Sequence, residues 1–236
     1  MKIEIWSDIM CPFCYIGKRH FEVAKTQVAF RDEIEVVWKS FQLDPTLPTE
    51  SNGETVEDYL IKRKGMTKEQ TQGMLQQITE RGKAVGITFN QEKSIPVNTF
   101  QAHRLIHFAQ ENGLASQMEE ALFRAYFTEA KNIGNLEVLT DLAVSIGLDK
   151  NETLEYLVSD KGADAVRADI TEAQKLSVGG VPFFVIDRTY AISGAQPVST
   201  IAQTLRQAYA ENLQKTSQLN DAKNEEGICG PDACEI

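Results

Sequence analysis

Apolar and polar positions alternate over the first residues of the chain. Lys2-Ile3-Glu4-Ile5-Trp6-Ser7 repeats at period two and is rich in β-branched and aromatic residues, which predicts a strand. From Cys11 the apolar spacing becomes helical through Tyr15, Ile16, Phe21, Val23, Ala24 and Val28, with Pro12 in a first turn where its missing N–H costs nothing. A second strand is predicted over Glu33 to Phe41, around Ile34, Val36, Val37 and Trp38, and the Asp44-Pro45 and Leu47-Pro48 pairs end it.

Between about Glu54 and Gln174 the period stays helical. The predicted helices run over Thr55–Arg63, Lys68–Val85, Thr99–Asn112, Ser116–Ala130, Leu136–Ile146, Asn151–Ser159 and Ala163–Lys175, with stops at Gly65, Gly86, Gly113, Gly134, Gly147 and Gly162. Strand character returns in Phe183–Asp187 and Tyr190–Ser193, a hairpin turning at Asp187-Arg188, and a last helix of roughly Val198 to Asn212 follows Pro197. The order is strand, helix, strand, helical block, hairpin, helix. An α/β sheet is therefore split in sequence by an all-helical insertion.

With 236 residues, 42% hydrophobic and 25% charged, the chain suits a globular core domain carrying an insertion. The net charge of -10, from 34 acidic and 24 basic residues, argues against nucleic acid as a partner. The run Lys62-Arg63-Lys64 reads as a solvated helix face. No stretch approaches the roughly 18 apolar residues of a membrane span, and the alternating N-terminus lacks the apolar region of a secretory signal. No membrane partner and a cytoplasmic location are the expectations; oligomeric state is left open.

The four cysteines fall into two close pairs, Cys11 with Cys14 and Cys229 with Cys234. A C-x-x-C beside a βα pattern reads as a redox motif rather than as a disulfide framework. A zinc site shared by the two pairs is a weaker reading, since they lie far apart in sequence and no His neighbours either closely. Burial as simple small hydrophobes is a third. His103 and His107 sit four apart on one predicted helix, but without a Glu between them packing is favoured over metal binding. The stripe Met118, Leu122, Phe123, Ala125, Tyr126 and Phe127 reads as helix packing rather than a ligand pocket. No metal is expected, and no cofactor beyond the redox-active disulfide itself.

A thiolate, not a thiol, attacks a disulfide, and a helix N-terminus offers free N–H groups and a positive dipole end to stabilise it. Cys11 is thus the expected nucleophile, and Cys14, one turn on, the thiol that resolves the mixed disulfide and is less exposed and less acidic. Pro12 and Phe13 complete the active loop. In Gly179-Gly180-Val181-Pro182-Phe183-Phe184 a proline opens a strand, and its peptide bond could be cis or an ordinary trans.

Taken together, WSDIMCPFCYIG, NTFQAHRLIHFA, LFRAYFTEAKNIG and GGVPFFVID resemble the DsbA family over roughly residues 2–212, in particular its cytoplasmic FrnE-like branch. The resemblance implies a thioredoxin-like fold with a large helical insertion. Its expected parts are a core of residues 1–50 and 176–214, an insertion of 51–175 and a tail of 215–236. It also implies Cys11 as nucleophile, Cys14 as resolving thiol, and Val181 with cis Pro182 as a strand-like platform for substrate backbone. The DsbA proteins themselves carry CPHC and are exported, whereas Phe13 stands here in place of that His. A reductase or isomerase acting on protein or peptide disulfides, with glutathione as a candidate partner, fits a reducing compartment better than a strong oxidase.

After about Leu213 the sequence turns polar and reads as a linker. A flexible segment of about fifteen residues spans roughly 20 Å, and Gly230-Pro231-Asp232 would let Cys229 and Cys234 approach each other. A second redox pair relaying electrons to Cys11 is one reading, supported by tails of this kind in the FrnE-like branch; inert thiols are the other. Two rivals stand beside disulfide exchange: a glutathione-dependent transferase or isomerase of the kappa-class type, and a non-enzymatic zinc-binding or interaction module.

Overall fold

The computed structural model of the chain describes residues 1–51 and 53–225, with side chains through 214, so Cys229 and Cys234 lie outside the described residues. Four strands form one sheet in the order β2-β1-β3-β4: β1 (Lys2–Ser7), β2 (Glu35–Ser40), β3 (Phe183–Ile186) and β4 (Tyr190–Ser193). β1 runs parallel to β2, with Ile3 opposite Val36 and Ile5 opposite Trp38, and antiparallel to β3, with Ile5 opposite Phe184. β3 and β4 form the antiparallel hairpin. This is the thioredoxin-like core with a large helical insertion.

The period of two decides which helices cover which face. Ile3, Ile5, Phe184 and Ile186 belong to the main core; α1 (Pro12–Thr26) and α9 (Val198–Glu225), which pack on each other, lie with it. Trp6 and Val185 point to the opposite face and meet Ala173 of α8 (Ala163–Lys175). Between β2 and β3 the insertion contains α2 (Val56–Lys64), α3 (Lys68–Lys83), α4 (Phe100–Glu111), α5 (Ala115–Phe123), α6 (Leu136–Ser145) and α7 (Lys150–Val158), and it closes with α8. Thr55 with Asp58 and Thr67 with Gln70 form capping boxes that start α2 and α3, and Asn135 and Asp149 cap α6 and α7. In the stripe read as helix packing rather than a pocket, Met118, Leu122 and Phe123 of α5 and Ala125, Tyr126 and Phe127 just after it are all buried, but Tyr126 and Phe127 also line a cavity. No described helix is long and apolar enough to cross a membrane.

Three expectations need correction. The helix read as Ser116–Ala130 is α-helical only to Phe123 and continues as a π turn over Arg124–Thr128, with Glu129 N–H donating to the Arg124 carbonyl at 3.0 Å. Gly134 closes no helix; a Cβ there would stand 2.2 Å from the Thr49 carbonyl, so close backbone approach requires glycine. Gly162 opens α8 instead of ending α7, which stops at Ser159. The third correction concerns the tail. α9 extends to Glu225, thirteen residues past Asn212, because the polar segment holds no Gly or Pro before Gly227 and is rich in Gln, Lys, Leu, Ala and Glu, all good helix formers.

Buried polar side chains tie the insertion to the sheet. The Asp169 carboxylate of α8 accepts from Lys39 Nζ at 2.7 Å and from the Ser40 N–H at 3.0 Å, and His107 Nε2 lies 3.1 Å away. The Trp6 indole N–H donates to the Asp169 carbonyl at 3.0 Å. Burial alone would raise the Asp169 carboxyl, but hydrogen bonds from His107, Lys39 and Ser40 outweigh it and hold the group below its ordinary range. Arg104 of α4 is 3% exposed and fixes the end of α7: its guanidinium donates to the carbonyls of Lys161 (2.8 Å), Leu157 (3.0 Å), Tyr156 (2.7 Å) and Ser159. Arg104→Met strips those carbonyls of their donor, and we expect a loss of about 3 kcal/mol or more of stability, read as a lowered midpoint in urea denaturation.

Candidate active site

A tight turn leads from β1 into α1, closed by the Cys11 N–H donating to the Asp8 carbonyl at 2.9 Å. Cys11 is the N-cap of α1, with φ -89° and ψ 110°, and Pro12 occupies the first turn. No side chain caps this helix and its first turn has no acidic residue. The positive end of α1 thus has neither a side-chain cap nor a first-turn carboxylate, and Cys11 stands at it. Cys14 sits one turn on, its N–H donating to the Cys11 carbonyl at 3.0 Å. Both cysteines are free thiols.

The structure brings Cys11 together with the loop that opens β3. The Cys11 thiol donates to the Val181 carbonyl at 3.4 Å, and the Val181-Pro182 peptide bond is cis. Gly17 makes the approach possible, since a Cβ there would stand 2.8 Å from Pro182 Cγ. The Pro182 carbonyl in turn accepts the Gly194 N–H at 2.8 Å, holding the loop to the end of β4. Cys11, Cys14, Val181 and Pro182 thus form one site. Phe13 projects from it beneath Arg81 of α3, whose guanidinium lies 5.8 Å from the ring centroid.

The two thiols differ little in exposure, 4% for Cys11 and 2% for Cys14. Their surroundings differ more. Burial raises the Cys14 thiol well above its ordinary value, and the hydrogen bond and charge of Cys11 raise it further, against the Asp8 backbone and the Ser7 hydroxyl. Cys14 is accordingly held as a thiol, while Cys11 stands at the N-terminal end of α1 against the Val181 carbonyl.

Sequence reasoning missed Asp8. It is 1% exposed, its carboxylate accepts the Leu43 N–H at 2.8 Å, and its other oxygen lies 3.4 Å from His103 Nε2. A Ser-Asp pair between strand and helix reads as turn chemistry, and only the four-residue spacing of His103 and His107 hinted at polar partners. The two histidines serve different neighbours, His103 facing Asp8 and His107 facing Ser40 and Asp169. Among the described residues no group of three or more His, Cys, Asp or Glu could hold a metal. The Lys62-Arg63-Lys64 face is exposed, with Lys62 beside Glu54 and Arg63 beside Asp44.

A cavity of about 170 Å³ adjoins the dithiol loop, with Met10 and Pro12 in its wall. On the other side of α1, the buried Lys18 pairs with Glu120 at 2.7 Å and with Glu22, and Tyr15 donates to Glu120 at 2.8 Å. Glu119, next to this network, is 1% exposed. Burial pushes its carboxyl up to about 8, against the pull of Lys18 and with the added repulsion of Asp8 and Glu120.

The chain matches the model of the DSBA-like thioredoxin domain over residues 2–206. YwbO, an uncharacterized protein of Bacillus subtilis, is 31% identical over 194 residues, 82% of this chain and 90% of that protein. The crystal structure of a probable DsbA oxidoreductase from Streptomyces coelicolor is 36% identical, with a TM-score of 0.84, and the likeness covers 100% of this chain and 99% of that one. DsbM of Pseudomonas aeruginosa, a cytosolic disulfide reductase also solved with GSH, shares the fold at 16% identity and a TM-score of 0.63, covering 89% of this chain and 99% of that one.

The buried acid beside the site gives a pH prediction. Below the ordinary carboxyl value of 4.5 the folded and unfolded chains both keep the Glu119 proton. As pH rises further the unfolded chain releases it, whereas the folded chain keeps it until near 8, so stability falls across that window. Glu119→Gln removes the penalty. Its stability advantage over the parent protein should grow from near zero at low pH to on the order of 2–4 kcal/mol by the top of the window, read from urea denaturation across the range.

Proposed function

The chain belongs to the DsbA-like thioredoxin-domain family, and from that premise we propose that it exchanges disulfides on protein or peptide substrates through a mixed disulfide on Cys11. The Cys11 thiolate attacks one sulfur of a substrate disulfide, forming an S–S bond to it, and the other substrate sulfur leaves as a thiolate that takes up a proton. Cys14, on losing its proton, attacks the Cys11 sulfur, closing the Cys11–Cys14 disulfide and releasing the second substrate thiol. Two electrons pass from dithiol to substrate, and the reverse sequence oxidises a substrate dithiol.

The observation that carries this reading is the placement of the Cys11 thiol at an uncapped helix end, against the Val181 carbonyl of the β3 loop. A substrate segment lying along Val181 and Pro182 would meet the sulfur with its own backbone extended. Pro12 and Phe13 shape the loop between the thiols. The raised Cys14 thiol supports its part as the resolving, not the attacking, group.

We place the protein in the FrnE-like branch on its CPFC loop and the Cys229/Cys234 pair, as a cytoplasmic reductase or isomerase built from a core of residues 1–50 and 176–214 and an insertion of 51–175. Glutathione is the small thiol proposed to recharge the dithiol, a partner that the GSH-bound DsbM of the same fold makes reasonable. The dithiol disfavours a kappa-class transferase, whose activity would be indifferent to Cys14.

Replacing Cys11 by Ser is expected to lower insulin reduction and the refolding of scrambled ribonuclease by about 100-fold or more. Cys14→Ser should instead let the first step proceed and accumulate a covalent Cys11–substrate adduct, visible by mass spectrometry under non-reducing conditions. Substantial turnover by the Cys11 variant, or glutathione-dependent turnover unaffected by Cys14→Ser, would overturn the reading.

A further inference from the structure

The two positions between Cys11 and Cys14 are Pro12 and Phe13, so the dithiol loop carries no cation of its own. The helical insertion brings two to it. Arg81, in the last turn of α3, lies with its guanidinium 5.8 Å from the Phe13 ring centroid. Lys64, which ends α2, shares the wall of the cavity beside the loop with Met10 and Pro12, and its Nζ is 5.8 Å from the Tyr59 ring centroid. One cation thus sits over the residue two positions after Cys11, and the other shares a wall with the residues on either side of it.

Neither cation has a carboxylate. Arg81 and Lys64 are both exposed and form no ion pair among the described residues. Their neighbours are committed: Lys83 pairs with Glu80 at 2.8 Å, Lys62 with Glu54 at 3.4 Å and Arg63 with Asp44 at 3.3 Å. Asp8, the carboxylate nearest to the loop in sequence, is buried and accepts the Leu43 N–H. A helix C-terminus favours a basic residue for the sake of its own carbonyls. That accounts for a cation in each last turn, but not for one lying on the loop's aromatic ring. In a chain of net charge -10, two unpaired cations stand beside the reactive loop.

We propose that Arg81 and Lys64 determine the charge specificity of the exchange site, selecting disulfides that carry a carboxylate within one or two residues of the attacked sulfur. The proposal rests on the disulfide-exchange reading above and leaves its sulfur chemistry unchanged. An extended segment advances about 3.3 Å per residue. A side chain one or two positions from a cysteine attacked by Cys11 therefore carries its charge toward the cation on Phe13 or toward Lys64. The planar guanidinium of Arg81 suits a carboxylate, which it can take in a bidentate pair while resting on the ring beneath. Two opposite charges about 10 Å apart in water are worth about a factor of two, and direct contact is worth more. The same carboxylate chemistry is offered by an acidic residue in a polypeptide and by a small carboxylated disulfide.

The test uses the full chain, pre-reduced, at about 0.1 M ionic strength, where charges more than about 10 Å away are largely screened. Its substrates are disulfide-linked peptide dimers with Glu, Gln or Lys on both sides of the cysteine, and the small disulfides of mercaptopropionate, mercaptoethanol and cysteamine. Each second-order rate constant is divided by that of dithiothreitol with the same disulfide, which removes differences in the sulfur's own reactivity. The Glu dimer is expected to exceed the Lys dimer by about tenfold, the reverse of what the net charge of -10 alone would give. Arg81→Glu or Lys64→Glu should bring that ratio close to one, both together should invert it, and Arg81→Lys should retain most of it. Salt at about 1 M, where screening sets in at about 3 Å, should flatten the ratio in the parent protein and needs no variant. A carboxylate preference among the peptides alone assigns the group to a polypeptide flank, and one among the small disulfides alone assigns it to a small molecule. Parent rates that favour the carboxylate in neither series would overturn the proposal, as would a Glu preference that survives the double substitution. Failure to reduce any disulfide, that of mercaptoethanol included, would instead sink the exchange reading beneath it.

Discussion

Everything at the site depends on one close contact: the first turns of α1 must lie directly against the loop that opens β3. The two segments are far apart in sequence, and the antiparallel pairing of β1 with β3 brings them to the same end of the sheet. The last step is made by the absence of a side chain at Gly17, where even a methyl group would collide with Pro182. A larger residue would lift the helix from the loop and part the Cys11 thiol from the Val181 carbonyl. The chemistry is thus a consequence of sheet order plus one glycine. A C-x-x-C at a helix start without that contact would lack the Val181 carbonyl that its first thiol meets here.

The helical insertion interrupts the fold between β2 and β3, and it is anchored by polar groups as well as by apolar packing. Asp169 joins α8 to β2 and, through His107, to α4, and the Lys18–Glu120 pair joins α1 to α5. Buried ion pairs add little stability when desolvation is counted, but breaking one is costly and their geometry is exacting. Here they tie α8 and α4 to β2 and α5 to α1. The π turn over Arg124–Thr128 brings Tyr126 and Phe127 to the wall of the cavity beside the dithiol, and Phe127 packs edge-on against Phe89.

Local patterns were the legible part of the sequence. The strands, the start of α1 and the hairpin follow from period, proline placement and turn residues within a few positions, and the dithiol follows from two cysteines one turn apart. What could not be read was whatever depends on distant segments meeting. Asp8 looks like a turn residue until Leu43 and His103 fold onto it. Gly17 looks like an ordinary helical glycine until Pro182 arrives. Arg104, in the middle of an apolar helix face, gives no hint that it finishes a different helix. The cavity gathers residues from segments far apart in sequence, Met10 and Pro12, Leu43, α2, α3, residues 91–96 and the π turn, and no pattern within any one of them announces it.

The C-terminal helix changes the argument about the second cysteine pair. α9 begins near the site, where His20 Nδ1 lies 2.8 Å from the Gln196 carbonyl, but it runs toward the opposite end of the sheet. There Arg206 donates to the Gln27 carbonyl, Tyr209 stacks on Phe30, and Asn212 meets Asp187 beside the first residue of β1. A helix rises about 1.5 Å per residue, so the thirteen residues to Glu225 carry the chain about 20 Å further along the helix axis. The reach of a flexible linker therefore does not apply to these residues as it would to a random coil. A helix that stays formed starts any path from Cys229 or Cys234 back to Cys11 at the far end of the molecule.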